Sequence, residues 1–304
     1  MAPYADAPGP DAVALRLLGS VHRLVLQRRA GVLGAWYPSV GGTWEPESGW
    51  AAFRDLVAAQ PEAVAEWLDR APQTNEVGRA AALFGGLLAL AARGERRPVR
   101  LVEIGASAGL NLLVDRFRYT GGGLPASGAG PLDSPVHLTA WSGPPPFPTD
   151  HWPDVVAREG TDVRPIDATG TEGRLALTAY VWADQRERLE RLRGALALAQ
   201  GAPPPLRVAG AADTLAALEP RADVVTVVWH SVMWQYLEPA EQARAEGELD
   251  RLARSAGPDV AHLRLEPVRR TPAEERRFWL VLDHAGERSF LATTPGHGVP
   301  LTWA

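Results

Sequence analysis

The residues best suited to chemistry form a glycine-rich segment that reads Gly105-Ala106-Ser107-Ala108-Gly109. A short β-branched run, Val99–Ile104, precedes it, and apolar residues at helical spacing follow over residues 110–117. The segment therefore predicts a strand, a tight glycine turn and a helix. Such a turn serves two chemistries. It allows a nucleotide-type cofactor to approach the backbone at a helix N-terminus, or it raises a serine nucleophile in the pattern Gly-x-Ser-x-Gly.

The cofactor hypothesis uses the acid that precedes the turn. The segment resembles the motif of S-adenosylmethionine-dependent enzymes, in which hydrophobic residues, an acid and Gly-x-Gly-x-Gly follow one another; here Glu103 is the acid and Ser107 replaces the central glycine. Such an acid can hold an amide or ammonium group near the point where the strand order of an open α/β sheet reverses. By analogy of position, Asp162 would hold the ribose and Asp213 would lie near the adenine. The predicted cofactor-binding residues are Glu103, Gly105, Ser107, Gly109, Asn111, Asp162 and Asp213.

The serine hydrolase hypothesis makes Ser107 the nucleophile and needs an acid and a histidine downstream. The candidates are Asp259 with His284 or His297, and neither pair has a distinctive sequence context. The chain has no His-Gly-Gly-Gly segment for an oxyanion hole, and Glu103 would have no role. The cofactor hypothesis is therefore favoured.

A second group of candidates follows the β-branched run within residues 223–229, which predicts a buried strand. His230 and Ser231 come directly after it, at the edge where open α/β sheets place their chemistry. We predict catalytic roles for His230, as base or orienting group, and for Ser231 and Glu76. Trp234 and Tyr236 would line the substrate pocket, and Gln73 and Asn75 would enter it with Glu76 from an N-terminal helical segment. The histidines show no metal-ligand spacing, so no metal is predicted.

Composition excludes several classes of function. The chain has 304 residues, a net charge of -5 and no Cys, and all of its 31 basic residues are Arg. Without Lys there is no Schiff base and no phosphate-binding P-loop lysine, and without Cys there is no thiolate chemistry or disulfide. The net charge argues against nucleic acid or an anionic membrane as the main partner. The N-terminus lacks a signal-peptide pattern and the longest apolar run is too short to span a bilayer, so we expect a cytoplasmic protein.

The predicted architecture is an α/β fold: a Rossmann-type, methyltransferase-like sheet with a C-terminal antiparallel hairpin and an N-terminal helical segment. The helical cap would cover residues 1–95 and the sheet domain residues 96–304. A Gly/Pro-rich insertion at 119–157 is a candidate lid. A long helical region is predicted at 175–200, and the hairpin within 277–293.

Several segments resemble the DUF2332 family, a group of uncharacterised proteins described as methyltransferase-like. The similar segments are residues 21–26, 37–42, 73–79, 101–119, 160–167, 181–185 and 228–237. The resemblance implies the fold and S-adenosylmethionine as the cofactor, and Ser107 belongs to the family pattern. Family members carry more sequence before residue 21, which implies either an incomplete helical cap or a second protein chain that completes the short N-terminus. They also read Gly-Asp where this chain has Gly210-Ala211.

The function predicted from the sequence is transfer of a methyl group from S-adenosylmethionine to a small molecule, in specialised metabolism. Three alternatives stay open. One is an enzyme of the same fold that performs a cofactor-independent displacement or elimination, another is a non-catalytic subunit, and the third is a serine hydrolase that uses Ser107.

Overall fold

The structure is a computed structural model that describes residues 13–69, 72–127 and 130–304. Its strands are β1 (Val99–Ile104), β2 (Arg118–Gly121), β3 (Leu124–Ser127), β4 (His137–Trp141), β5 (Val155–Asp162), β6 (Leu206–Val208), β7 (Val225–Ser231), β8 (Val260–Val268), β9 (Arg277–His284), β10 (Glu287–Thr294) and β11 (Thr302–Trp303). Its α-helices are α1 (Val13–Leu26), α2 (Pro46–Ala59), α3 (Pro61–Leu68), α4 (Ala80–Ala92), α5 (Thr171–Ala179), α6 (Arg186–Gly201), α7 (Ala211–Ala216) and α8 (Pro239–Ala256).

The described chain divides into two compact units. The first contains the residues up to Thr74 together with Asp167–Arg193, and the second contains Asn75–Ile166 and Gly194–Ala304. The predicted boundary between residues 95 and 96 falls inside the second unit, between α4 and β1. The reason is that α4 is buried along almost its whole length and packs on β8 and β9, whereas α5 packs on α1.

The second unit is built on a sheet with the strand order β11-β10-β9-β8-β7-β1-β5-β6. Strands β6, β5, β1, β7 and β8 are parallel, and β9 and β10 pair antiparallel with their neighbours. The predicted α/β class, with a mostly parallel sheet and antiparallel C-terminal strands, is confirmed. The chain order reverses between β1 and β7, so the carboxyl ends of these strands form a switch point of the kind where α/β sheets bind ligands.

Helices cover the two faces of this sheet. On one face, Gly86 of α4 lies against Leu263 of β8. On the other face, α7 and α8 pack on a cluster that contains Val102, Ile104 and Val228. Each residue of β7 is buried, which explains its run of β-branched residues.

Two predicted helices differ from the structure. The residues after the glycine turn form a short 3-10 helix, Leu110–Arg116, because Gly109 has a left-handed φ of 68° and Leu113 has non-helical backbone angles. The helical region predicted at 175–200 consists of α5 and α6, with a turn between them.

The insertion after this 3-10 helix contains its own sheet, with the order β3-β2-β4. The ring of Tyr119 stacks on Phe84 of α4 with a centroid distance of 4.1 Å, and the N–H of Leu301 donates to the carbonyl of Ala140. These contacts attach β2 and β4 to the rest of the second unit. Movement of the segment as a lid stays a prediction.

The first unit is helical. Its core contains Val21, Leu24, Leu33, Phe53 and Leu56 from α1, α2 and the segment between them. Within the described part of the chain, no helix combines the length and the apolar character that crossing a membrane requires.

Substitution Gly86→Ala tests the packing of α4 on the sheet. A Cβ at Gly86 would lie 2.9 Å from Cγ of Leu263, which is itself buried, so we expect the free energy of unfolding to fall by about 1–3 kcal/mol. The control is Gly247→Ala on the exposed side of α8, where nothing lies within 4 Å of the new methyl group. That variant should be stabilised by roughly 0.5–1 kcal/mol, because Ala favours a helix interior. Urea unfolding measures both, and equal effects would contradict the packing.

Candidate functional site

The glycine turn lies at the switch point and is held by the end of β5. Gly105, Ser107 and Gly109 all have left-handed φ angles, of 68°, 53° and 68°. The N–H of Ser107 donates to Oδ2 of Asp162 over 2.9 Å, and its carbonyl accepts from the N–H of Ile166. The left-handed conformation favours glycine, and a serine there requires surrounding contacts to stabilise it. Asp162 therefore fixes the shape of the turn.

Side chains of this chain approach both glycines closely. A Cβ at Gly105 would lie 2.9 Å from Cγ of Met233, and a Cβ at Gly109 would lie 2.9 Å from Cδ2 of Leu206. Gly109 is thus required by internal packing. A ligand that approaches the backbone of Gly105 must displace the flexible side chain of Met233.

Glu103 is an acid buried in the central strand of the sheet. It pairs in register with Trp229 of β7, and 2% of its surface is exposed. Burial raises the pKa of Glu103 to about 8, although hydrogen bonding from Asn111 and the positive charge of Arg79 oppose this change. The side chain of Glu103 therefore carries a proton at neutral pH when no ligand is present.

Three buried oxygen atoms around the turn have unused hydrogen-bonding capacity. Among the described residues, Oε2 of Glu103, Oγ of Ser107 and Oδ1 of Asn111 have no hydrogen-bond partner. A buried polar atom without a partner costs about 1–3 kcal/mol and calls for a functional explanation. Three of them within nine residues mark the turn as the candidate site.

Asn75 and Glu76 are adjacent to this site and have defined structural contacts. Oδ1 of Asn75 accepts a hydrogen bond of 2.7 Å from the N–H of Leu110, directly after the turn. Oε1 of Glu76 accepts from the N–H of Gly78, and its Oε2 lies 3.7 Å from Nδ1 of His297, whose side chain is half exposed. The structure thus places His297 beside a predicted catalytic residue.

Arg79 connects three parts of the site. Its Nη1 donates to the carbonyl of Ser231 and its Nε donates to the carbonyl of Gly296, while its charge acts on Glu103. The sequence predicts no role for Arg79, and it offers His297 only as an alternative histidine of the serine triad. The only signal for Arg79 is its place in the segment 73–79, and for His297 it is the position between two glycines.

His230 points away from Ser231. Strand β7 continues through Ser231, and successive side chains of a strand face opposite sides of the sheet. Nδ1 of His230 lies 2.8 Å from Oε1 of Glu266, and its Nε2 lies 3.0 Å from Nε2 of His262. The predicted neighbours His230 and Ser231 therefore belong to different faces, and the ring of Trp234 stacks on His230.

The hydrogen bonds of this histidine pair have one consistent direction. Burial, together with the positive charge of Arg264, holds the pKa of His262 well below its usual value, so His262 is neutral. Nη1 of Arg264 donates to Nδ1 of His262. From this contact we assign the remaining protons: His262 donates through Nε2 to His230, and His230 donates through Nδ1 to Glu266. Glu266 also accepts from the N–H of Met233, the residue that covers Gly105.

The remaining predicted residues have other surroundings. Asp213 forms an exposed ion pair with Arg244 at 2.6 Å, and Tyr236 is 68% exposed. Trp234 packs on the apolar cluster beneath α8, and Gln73 lies in the first unit.

The acid and one histidine proposed for a triad lie at the wrong edge of the sheet. Asp259 directly precedes β8 and pairs with Arg97 at 2.6 Å, and Nε2 of His284 contacts the carbonyl of Pro258. Because β8 is parallel to β1 through β7, these residues are at the amino ends of the strands, while Ser107 follows a carboxyl end. Asp259 and His284 therefore do not form a triad with Ser107.

Comparison with protein families gives one match, which extends over residues 1–303, to a family described as an uncharacterized protein conserved in bacteria. The chain belongs to the DUF2332 family. The family resemblance of the sequence segments is thereby confirmed. No curated protein and no solved structure matches the chain.

The pH dependence of stability tests the state of Glu103. Its pKa in the folded protein, about 8, exceeds the ordinary value of 4.5, so the folded state binds this proton more tightly. Its contribution is complete below pH 4.5 and is lost as the pH rises towards 8, at up to about 1.4 kcal/mol per pH unit. Urea unfolding between pH 5.5 and 8.5 should show that Glu103→Gln removes most of this slope. The exposed control Glu190→Gln should keep it; equal slopes in the wild type and Glu103→Gln would refute the protonated state.

Substitution His230→Leu tests the chain of hydrogen bonds from Arg264 to Glu266. Leucine nearly fills the volume of the ring but leaves the buried carboxylate of Glu266 without its histidine donor. We expect a loss of about 2–3 kcal/mol in the free energy of unfolding. His284→Leu, at a turn near the surface, should change it by less than about 1 kcal/mol. Thermal unfolding compares the two, and a neutral His230→Leu would contradict the assigned network.

Proposed function

We propose that this protein transfers a methyl group from S-adenosylmethionine to a small-molecule acceptor. The observation that carries the proposal is the group of buried oxygens without partners, on Glu103, Ser107 and Asn111. They lie at the switch point of a mostly parallel sheet, where open α/β folds bind nucleotide-type ligands.

The chemistry of these atoms suits the cofactor. A carboxylate, a hydroxyl and an amide oxygen are all acceptors, and S-adenosylmethionine offers an ammonium group and ribose hydroxyls as donors. Glu103 would hold the ammonium group. Asp162 would hold the ribose, since its carboxylate lies beside the glycine turn, where it accepts from the backbone N–H groups of Ser107 and Arg164. The bound sulfonium supplies the electrophilic methyl group.

The residues of the chain would then position the acceptor and remove its proton. Methyl transfer is an in-line displacement that depends mainly on positioning. His297 is the best-placed base, because Glu76 is buried next to its Nδ1 and would orient the ring. We assign to His297 the role of base that the sequence predicts for His230, because both ring nitrogens of His230 already contact Glu266 and His262. Arg79 would keep Ser231 and the loop that carries His297 in place through its two carbonyl contacts.

One observation favours a second candidate, a displacement or elimination without the cofactor at the same site. The side chain of Met233 lies against Gly105, in the space where the cofactor would approach the backbone. Cofactor binding distinguishes the two proposals.

Titration calorimetry with S-adenosylmethionine and S-adenosylhomocysteine tests the proposal on the full chain. An ammonium group next to Glu103 stabilises its carboxylate and lowers its pKa, so binding at pH 7 should release a proton and strengthen as the pH rises to 8.5. The heat of binding should therefore depend on the ionisation enthalpy of the buffer. Glu103→Gln should abolish the proton release and weaken binding about 10- to 100-fold, or about 1.4–2.8 kcal/mol.

The control Glu190→Gln should bind as the wild type does. Failure of the folded wild type to bind either compound would overturn methyl transfer and leave the cofactor-independent reaction. Binding without proton release would refute the role of Glu103.

A further inference from the structure

The first unit contains an aromatic pocket of about 510 Å³. Its walls are formed by α1, by the segment that precedes α2, by α2 itself, and by the end of α5 and the turn that follows it. The rings that line it are those of Tyr37, Trp44, Trp50, Phe53, Tyr180 and Trp182. This volume is in the range of small-molecule sites, roughly 300–1,000 Å³, which are usually apolar with a few polar groups.

Three tryptophans of the pocket remain open to solvent. Trp44, Trp50 and Trp182 are 43%, 53% and 52% exposed. Single exposed apolar residues are common, but a group around one concavity indicates a binding surface. An indole ring that a ligand covers contributes a large apolar area with little loss of side-chain freedom.

The walls are fixed before a ligand arrives. A Cβ at Gly19 would lie 2.6 Å from the ring of Tyr180, so glycine allows that ring to lie directly on α1. Trp50 stacks on Phe53 with a centroid distance of 5.4 Å and an interplanar angle of 12°. The ring of His22 contacts Ser39 and the carbonyl of Ala179 through its two nitrogens. A preformed pocket loses little entropy on binding.

The pocket contains no positive charge at neutral pH. Burial lowers the pKa of His22 to about 4, so the ring is neutral, and burial raises the pKa of the Tyr37 hydroxyl to about 12. Among the residues that the structure describes, no Arg lines the pocket, and Asp184 is the one lining residue with a formal charge. The faces of aromatic rings attract cations, whereas an anion would find no ionic partner here.

We propose that this pocket binds a small hydrophobic organic cation, such as an amine with an apolar body. The aromatic faces would surround the apolar body and the charged group, and Asp184 would attract the charge at the rim. The proposal concerns residues of the first unit alone. It does not depend on whether the glycine turn in the second unit binds S-adenosylmethionine.

Three probes with one apolar body and different charges test this proposal: 4-tert-butylbenzylamine, 4-tert-butylbenzyl alcohol and 4-tert-butylbenzoate. Tryptophan fluorescence and calorimetry on the full chain measure their binding. We expect the amine to bind about tenfold more tightly than the alcohol, which corresponds to about 1.4 kcal/mol. The benzoate should bind most weakly.

Substitutions of pocket residues test whether the amine binds in this pocket. Trp50→Ala and Trp182→Ala should each weaken amine binding about tenfold, and Trp50→Phe should restore most of it. Asp184→Asn should affect the amine but not the alcohol. Val32→Ala, exposed in the same unit and outside the pocket, and Glu103→Gln in the second unit should leave amine binding unchanged.

The proposal is overturned if the amine does not bind, or if the alcohol or the benzoate binds as tightly as the amine. It is also overturned if the tryptophan variants, shown to be folded by circular dichroism, bind the amine like the wild type.

Discussion

The burial of one carboxyl group, that of Glu103, is the constraint on which the candidate site depends. Glu103 lies in β1, the middle one of the five parallel strands, where both faces are covered and apolar residues are the rule. A charged carboxylate there would be costly, and the protein responds by binding a proton at neutral pH. Asn111 and Trp229 face the group, so the 3-10 helix after the turn and strand β7 are both arranged around it. A cationic ligand beside Glu103 would stabilise the charged carboxylate, and this stabilisation would contribute to binding.

Strand β7 separates two polar networks through the alternation of its side chains. Trp229 and Ser231 face the side of Glu103, and His230 faces the side of Glu266 and His262. Met233 joins the networks, because its N–H donates to Glu266 while its side chain covers Gly105. The buried histidine pair therefore helps to hold Glu266, which in turn holds the loop whose Met233 side chain lies against Gly105. Val232, which precedes Met233, has a left-handed φ of 51°, a strain that such an anchor must hold in place.

The sequence predicts those parts of the fold whose signals are local. The β-branched runs of β1 and β7 predict strands because both faces of a central parallel strand are buried. The hairpin of β9 and β10 is predicted from its Ala285-Gly286 turn. The predicted helix after the glycine turn fails because the same apolar residues are buried equally well by a 3-10 helix. The side of the sheet that His230 faces depends on how far β7 extends. Whether Glu266 reaches His230 depends on the length of β8 and on its register with β7. Neither is a local property, so neither could be predicted.

The two binding regions differ in how the chain assembles them, and this explains why the sequence indicates only one. The glycine turn and its acid are contiguous from Glu103 to Asn111, so residue spacing alone indicates a site there. The aromatic pocket combines residues 15–53 with residues 179–184, which are far apart in the sequence and come together because α5 packs on α1. Each of its tryptophans, taken alone in the sequence, has the character of an ordinary core residue. Their partial exposure around one cavity is the observation behind the proposed binding site, and it exists only in the folded unit.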